Sequence, residues 1–272
     1  MDPKNKDDAF LDNRTINRYL FYPRGGEELP EDKEKVKTIL IQVDDGVRIG
    51  GKCHIAHRHA PNILFFHGNG EIVSDYDEIA MLYLSIGFNF IPFDYRGYGY
   101  STGFPSVRTM LKDAHAIYHA VVDWLKECEM KGALVLMGRS LGSASALEIA
   151  SSYKTGAAGL ILDSAFAYTL PLLENLGMNV EALDFGEQEG FRNLEKISFY
   201  ERPTLIIHGD NDEIIAYTEA KRLRDSCPAA EKKLYLVPGA GHNDLLFLGE
   251  RIYRDALTWL KARVMGGWGN FY

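Results

Sequence analysis

Ala133-Leu134-Val135-Leu136-Met137-Gly138-Arg139-Ser140-Leu141-Gly142-Ser143-Ala144-Ser145-Ala146 is the stretch on which the reading of this chain turns. Its apolar start, without in/out alternation, fits a strand buried on both faces. The small residues from Ser143 onward fit a helix. Between them, Gly138-Arg139-Ser140-Leu141-Gly142 matches G-x-S-x-G in the strand, turn and helix context that the motif requires. A serine on so sharp a turn sits in strained backbone, and glycines two residues to either side remove Cβ atoms that would collide with neighbouring chain. The helix start also aims N–H groups and the positive end of its dipole at a developing oxyanion. Taken alone, the pentapeptide is also compatible with a turn whose serine merely caps the helix.

A serine hydroxyl is a poor nucleophile until a base accepts its proton, and the base needs a carboxylate to fix its tautomer. Both partners have candidates downstream. Thr204 to Ile207 reads as a strand running into His208-Gly209-Asp210-Asn211-Asp212, and Lys233 to Val237 as one running into Pro238-Gly239-Ala240-Gly241-His242. Each candidate stands on a loop just after a strand, in the chain order Ser, Asp, His. Asp212 is the preferred acid, with Asp210 and Asp163 as rivals, and His242 is the preferred base over an ordinary loop histidine. A third motif, Phe65-Phe66-His67-Gly68-Asn69-Gly70, ends an early strand in a glycine-rich turn. Such a turn can present a bare backbone N–H to a substrate carbonyl, here that of Asn69, with Leu141 N–H as the second donor. The position of His67 within the turn favours a structural hydrogen bond over a role as base.

Outward from these motifs, further apolar runs at Asn62 to Phe66, Phe88 to Phe93 and Leu160 to Leu162 alternate with helix-period segments, which predicts a mostly parallel sheet. Val107, Met110, Leu111, Ala114, Ile117, Tyr118, Val121, Val122 and Leu125 form an amphipathic stripe after the N-cap candidate Ser106. Other helices are expected at Ser74 to Ile86, Leu141 to Tyr153, Tyr217 to Ser226 and Leu245 to Val264. The order is that of a doubly wound α/β fold, with helices on both faces and catalytic loops gathered at the strands' carboxyl ends. Upstream, Val36 to Val43 and Val47 to Ile55 flank Asp44-Asp45-Gly46 and read as a hairpin. Residues to about 18 are polar and expected to fray or dock loosely. Ala167 to Arg202 breaks the strand-helix rhythm, and its leucines and phenylalanines predict a small cap over the site.

The 272 residues are expected to form one domain. Thirty Lys+Arg against 38 Asp+Glu give a formal net charge of -8, and without a basic stripe a nucleic-acid partner is not expected. Met1 to Phe10 lacks an apolar leader region, and no run approaches the roughly 18 apolar residues of a membrane-spanning helix, so a cytoplasmic location is expected. Cys53, Cys128 and Cys227 read as free thiols. Two other patterns lead elsewhere and are set aside. Gly46 to Lys52 has the G-x4-G-K spacing of a phosphate loop, but Cys53 stands where Ser or Thr should hold magnesium, and no helix follows. Cys53, His54, His57 and His59 lack a second cluster to complete a metal site. Neither a metal nor a cofactor is expected.

Together with Phe93-Asp94-Tyr95-Arg96-Gly97-Tyr98-Gly99-Tyr100-Ser101, these motifs resemble the α/β-hydrolase superfamily over about residues 36 to 264, and within it the serine hydrolases that include carboxylesterases and depalmitoylating thioesterases. The resemblance implies an eight-stranded sheet and Ser140, Asp212 and His242 as a triad. It also implies a structural role for Asp94 to Ser101. The expected reaction is acyl transfer on an ester or thioester of a small-molecule substrate through an acyl-enzyme, the cap favouring a short-to-medium acyl chain. A peptidase or amidase on the same triad is the alternative enzyme, and a weakly catalytic ligand-binding protein the alternative outside catalysis.

Overall fold

The computed structural model describes residues 10–11, 13–183 and 185–266. Most of the charged start of the chain, read above as lacking a leader, and the aromatic stretch Trp268 to Tyr272 lie outside these residues. Eight strands form one sheet: β1 (Val36–Asp44), β2 (Val47–His54), β3 (Asn62–Phe66), β4 (Asn89–Phe93), β5 (Leu134–Arg139), β6 (Gly159–Asp163), β7 (Thr204–Gly209) and β8 (Lys232–Val237). Their spatial order is β1-β2-β4-β3-β5-β6-β7-β8. β1 and β2 pair antiparallel, as do β2 and β4, and every later pairing is parallel. The expected hairpin and the eight-stranded mostly parallel sheet are what the chain adopts.

Two-residue alternation distributes the apolar side chains of the parallel strands between two helical layers. Leu64, Leu134, Leu136, Leu160, Leu162 and Ile206 join a core with helices at Val107–Glu127, Gly142–Ser152 and Tyr217–Ser226. Ile63, Phe65, Val135, Met137, Ile161 and Leu205 face the opposite way, toward helices at Ala80–Ile86 and Leu245–Gly266. Ser106 caps the helix Val107–Glu127 as expected, its Oγ accepting from Thr109 N–H at 3.1 Å. β8 is the exception to burial on both faces, because it is the sheet edge and exposes Lys232 and Lys233.

Two further expectations are corrected. The helix expected over Ser74 to Ile86 is a 3₁₀ turn, Val73–Tyr76, followed after a break by the helix Ala80–Ile86. Asp77, at the break, is bound by the buried Lys52 Nζ at 2.8 and 2.7 Å, a long-range pairing that local helix propensity does not register. The N-terminal segment does not fray from residue 10 onward: Phe10, Ile16 and Leu20 are buried, and Arg14–Leu20 is a helix capped by Asn13. Gly46 to Lys52 is turn and strand, in line with the reading that set a phosphate loop aside.

A third apolar cluster lies over the carboxyl ends of the strands. There Phe10, Ile16 and Leu20 meet Phe166, Leu172, Leu173 and Phe191 of the Ala167 to Arg202 region and its approach. Phe10 packs its ring 5.2 Å from that of Phe185 and 5.1 Å from that of Phe191. The excursion itself contains short helices at Thr169–Asn175 and Asn193–Ile197. Glu187 accepts from the first two N–H groups of the former, Thr169 at 2.6 Å and Leu170 at 2.9 Å, satisfying donors that a helix start leaves open.

Candidate active site

Ser140 follows the last residue of β5 with a φ of +51°, the left-handed value expected of a serine pushed out of the strand line. Its N–H donates to Asp163 O at 2.9 Å, which fixes the turn to β6. The flanking glycines are required by close approach. A Cβ on Gly138 would lie 2.4 Å from Gly142 O, and one on Gly142 would lie 2.1 Å from Phe66 O.

His242, on the loop after β8, places Nε2 2.9 Å from Ser140 Oγ and donates from Nδ1 to Asp212 Oδ2 at 2.8 Å. Asp212 stands on the loop after β7, where its other oxygen accepts from Ile214 N–H at 2.9 Å and Ile215 N–H at 2.7 Å. All three side chains are buried. Burial opposes the charge on Asp212, but hydrogen bonds from His208, His242 and Ile215 N–H outweigh it and hold the carboxyl well below the usual carboxylate range. With Asp212 ionised and accepting from Nδ1, the Nε2 lone pair faces the serine hydroxyl, the tautomer a base requires.

The rival acids are engaged elsewhere. Asp210 Oδ1 accepts from Gly239 N–H at 2.6 Å, bracing the turn after β8. Asp163 accepts from Tyr253 Oη at 2.7 Å and Ser164 Oγ at 3.1 Å. His67 is fully buried, and its Nδ1 donates to Gly68 O at 2.7 Å. Asp94 is also fully buried and accepts from Val73 N–H at 2.9 Å and Tyr100 N–H at 3.3 Å, which gives the segment after β4 the bracing role expected of it.

A cavity of about 160 Å³ opens onto Ser140, Leu141, His242 and Asn69, with Leu20, Leu172, Leu176 and Ile214 as its apolar wall. Asn69 Oδ1 is held by Tyr22 N–H at 2.9 Å and Tyr98 Oη at 3.0 Å, so the turn carrying its backbone N–H is anchored. The sequence reading missed Leu20, Ile214 and His208. Leu20 was legible in the Ile16 and Leu20 spacing after Asn13, a capped apolar turn. His208 stands in the motif that supplied Asp212; its Nε2 donates to Ile215 O at 2.7 Å and lies 3.2 Å from Asp212 Oδ2.

Away from the site, Cys53 and Cys227 are buried, Cys128 is half-buried, and all three are free thiols. Burial pushes the Cys53 thiol well above its usual range. Among the described residues no helix is long and apolar enough to cross a membrane, and no group of three His, Cys, Asp or Glu side chains is arranged to hold a metal ion.

Residues 57–180 match a family profile described as serine aminopeptidase, S33. An esterase of Pyrococcus furiosus shares the fold, with a TM-score of 0.69 at 19% identity over 91% of this chain and 98% of that one. An uncharacterised protein of Mycobacterium tuberculosis is 30% identical over 250 residues, covering 88% of this chain and 85% of its own length. The human alpha/beta hydrolase domain-containing protein 17B is 30% identical over 238 residues, 82% of this chain and 75% of its own. At that identity and coverage, with the eight-stranded sheet already described, the chain belongs to the α/β-hydrolase family.

Proposed function

We propose that this protein is a serine hydrolase that cleaves small carboxylic esters or thioesters through an acyl-enzyme. The observation that carries the proposal is the unbroken relay from Ser140 Oγ to His242 Nε2 at 2.9 Å and from His242 Nδ1 to Asp212 at 2.8 Å. His242 accepts the Ser140 proton as Oγ attacks the carbonyl carbon, and Asp212 stabilises the resulting imidazolium. The negative charge on the former carbonyl oxygen rests on the N–H groups of Asn69 and Leu141. The imidazolium then protonates the departing alcohol or thiol. Water attacks the acyl-enzyme, its proton passing to His242 and on to Ser140, and the carboxylic acid leaves. This chemistry calls on no cofactor.

The cavity volume of about 160 Å³ is well below the roughly 300 Å³ at which drug-sized pockets begin, which supports a short acyl group against the leucine wall. The aminopeptidase description of the matching profile favours a second reading, amide hydrolysis at a free N-terminus. An aminopeptidase must meet the substrate's ammonium group, however, and none of the described residues lining this cavity is acidic.

Hydrolysis of a p-nitrophenyl ester series from acetate to palmitate, with aminoacyl p-nitroanilides alongside, tests the assignment. Wild-type turnover of the short esters, absent in Ser140→Ala, is the expected result. Faster turnover of the anilides would establish the amidase reading. A folded wild type that hydrolyses none of these substrates and is not labelled by a serine-reactive phosphonate would leave a binding role.

A further inference from the structure

Glu71 follows the glycine-rich turn after β3 and takes no part in the proposed relay. One of its oxygens, Oε2, accepts from Gly68 N–H at 2.6 Å and from Tyr76 Oη at 2.6 Å. The other is paired with Arg139 Nη1. Arg139, the residue before the serine, turns its second terminal nitrogen to the opposite side, where it donates to His242 O at 2.8 Å and to Asn243 Oδ1 at 3.3 Å. A single ion pair thus joins the turn that carries Asn69, the elbow that carries Ser140 and the loop that carries His242. Both side chains are largely removed from water, at 15% exposed for Arg139 and 22% for Glu71, so solvent screens the pair little.

We propose that Glu71 and Arg139 are a positioning pair, which holds His242 against Ser140 and keeps the Asn69 N–H aimed at the reacting carbonyl oxygen. The proposal rests on the serine-hydrolase reading above. Its physical basis is the guanidinium fork: planar, with donors on two sides, it meets a carboxylate in one direction and a backbone carbonyl in another, which a lysine ammonium does with less geometric control. Arg139 also lines the cavity, but the side-chain hydrogen bonds of the pair go to neither Ser140 Oγ nor His242 Nε2, so loss of the pair displaces the relay without removing any member of it. Misplacement by about 1 Å is enough to cost on the order of 10²-fold in rate.

The test compares wild type, Glu71→Gln, Arg139→Lys, Arg139→Met and the double variant Glu71→Gln/Arg139→Met. It measures kcat and KM on p-nitrophenyl acetate, the rate of phosphonate labelling, and the thermal unfolding midpoint. The single variants are expected to lose about 10²-fold in kcat, with KM nearly unchanged and labelling slowed in parallel. Arg139→Lys, which keeps the charge and supplies a folded variant should the others fail, is expected to remain impaired in kcat. In the double variant neither member of the pair is left as an unpaired buried charge, so the unfolding midpoint should recover while kcat does not. Recovery of kcat together with the midpoint, or single variants that turn over and label at the wild-type rate, would show that the pair only supports the fold and would overturn the proposal. A wild type that neither turns over the ester nor labels fails the serine-hydrolase reading itself, and the positioning role with it.

Discussion

The loops at the carboxyl ends of β5, β7 and β8 and the apolar cluster above them occupy the same end of the molecule but are held by different forces. The loops are fixed by short polar contacts at set distances, such as Asp212 with Ile215 N–H at 2.7 Å and Asp210 with Gly239 N–H at 2.6 Å. The cluster is fixed by side-chain packing, Phe10 against Phe185 and Phe191, and Leu20 and Leu172 within the same core. Hydrogen bonds are directional and fail when one partner shifts, whereas apolar burial is roughly proportional to area and tolerates rearrangement. Reactivity is therefore assigned to the rigid part and selectivity to the adaptable one.

The comparison is broken most severely at the nucleophile. Ser140→Ala is expected to lower kcat on a short ester on the order of 10⁶-fold while leaving the unfolding midpoint near that of wild type. Next, Asp212→Asn removes the carboxylate that fixes the base's tautomer. A kcat about 10⁴-fold lower is expected, with KM little changed.

On the apolar side, Phe10→Ala should cost about 3 kcal/mol of stability, read as a lower urea midpoint. Kinetically it should raise KM for the preferred ester more than it lowers kcat. If it lowered kcat by as much as Asp212→Asn, the division between the two regions would be wrong.

The smallest effect sharpens the comparison at a polar tie between the excursion and the sheet's helical layer. Glu148 on the helix Gly142–Ser152 pairs with Lys196 at 2.6 Å and meets His115 at 3.2 Å. The His115 hydrogen bond and the Lys196 charge, working against burial, lower its pKa from 4.5 to about 2. A carboxylate depressed on folding adds stability above its unfolded value, and that stability is lost as pH falls through the folded one. Wild type should therefore lose on the order of 2 kcal/mol between about pH 4.5 and pH 2 through this group, and Glu148→Gln should flatten that part of the profile. Equal acid sensitivity of the two proteins in urea titrations would assign the loss to other carboxylates.

The sheet and the relay were legible for one reason. Gly138, Ser140 and Gly142 answer to a local backbone demand, and Asp212 and His242 each follow a continuous apolar strand. Such signals lie within a few residues of their cause. The spacing after Asn13 marks the helix of Leu20, but that Phe10 and Leu20 pack over the site was not legible, because their partners stand far away in the chain and no short pattern marks such a pairing. The split of Ser74 to Ile86 had the same origin, since Lys52 lies 25 residues from Asp77. Glu71 stood beside one recognised motif and Arg139 within another, but that one ion pair would join three loops became visible only in three dimensions.

The apolar wall of the cavity draws Leu20, Leu172, Leu176 and Ile214 from three separate stretches of chain, none of them a strand of the sheet. On the proposed reading, variation at these four positions redirects which acyl group is accepted while the relay stays intact. One of the four, Leu20, belongs to the helix Arg14–Leu20, so a substitution in that helix acts on the wall of the cavity directly.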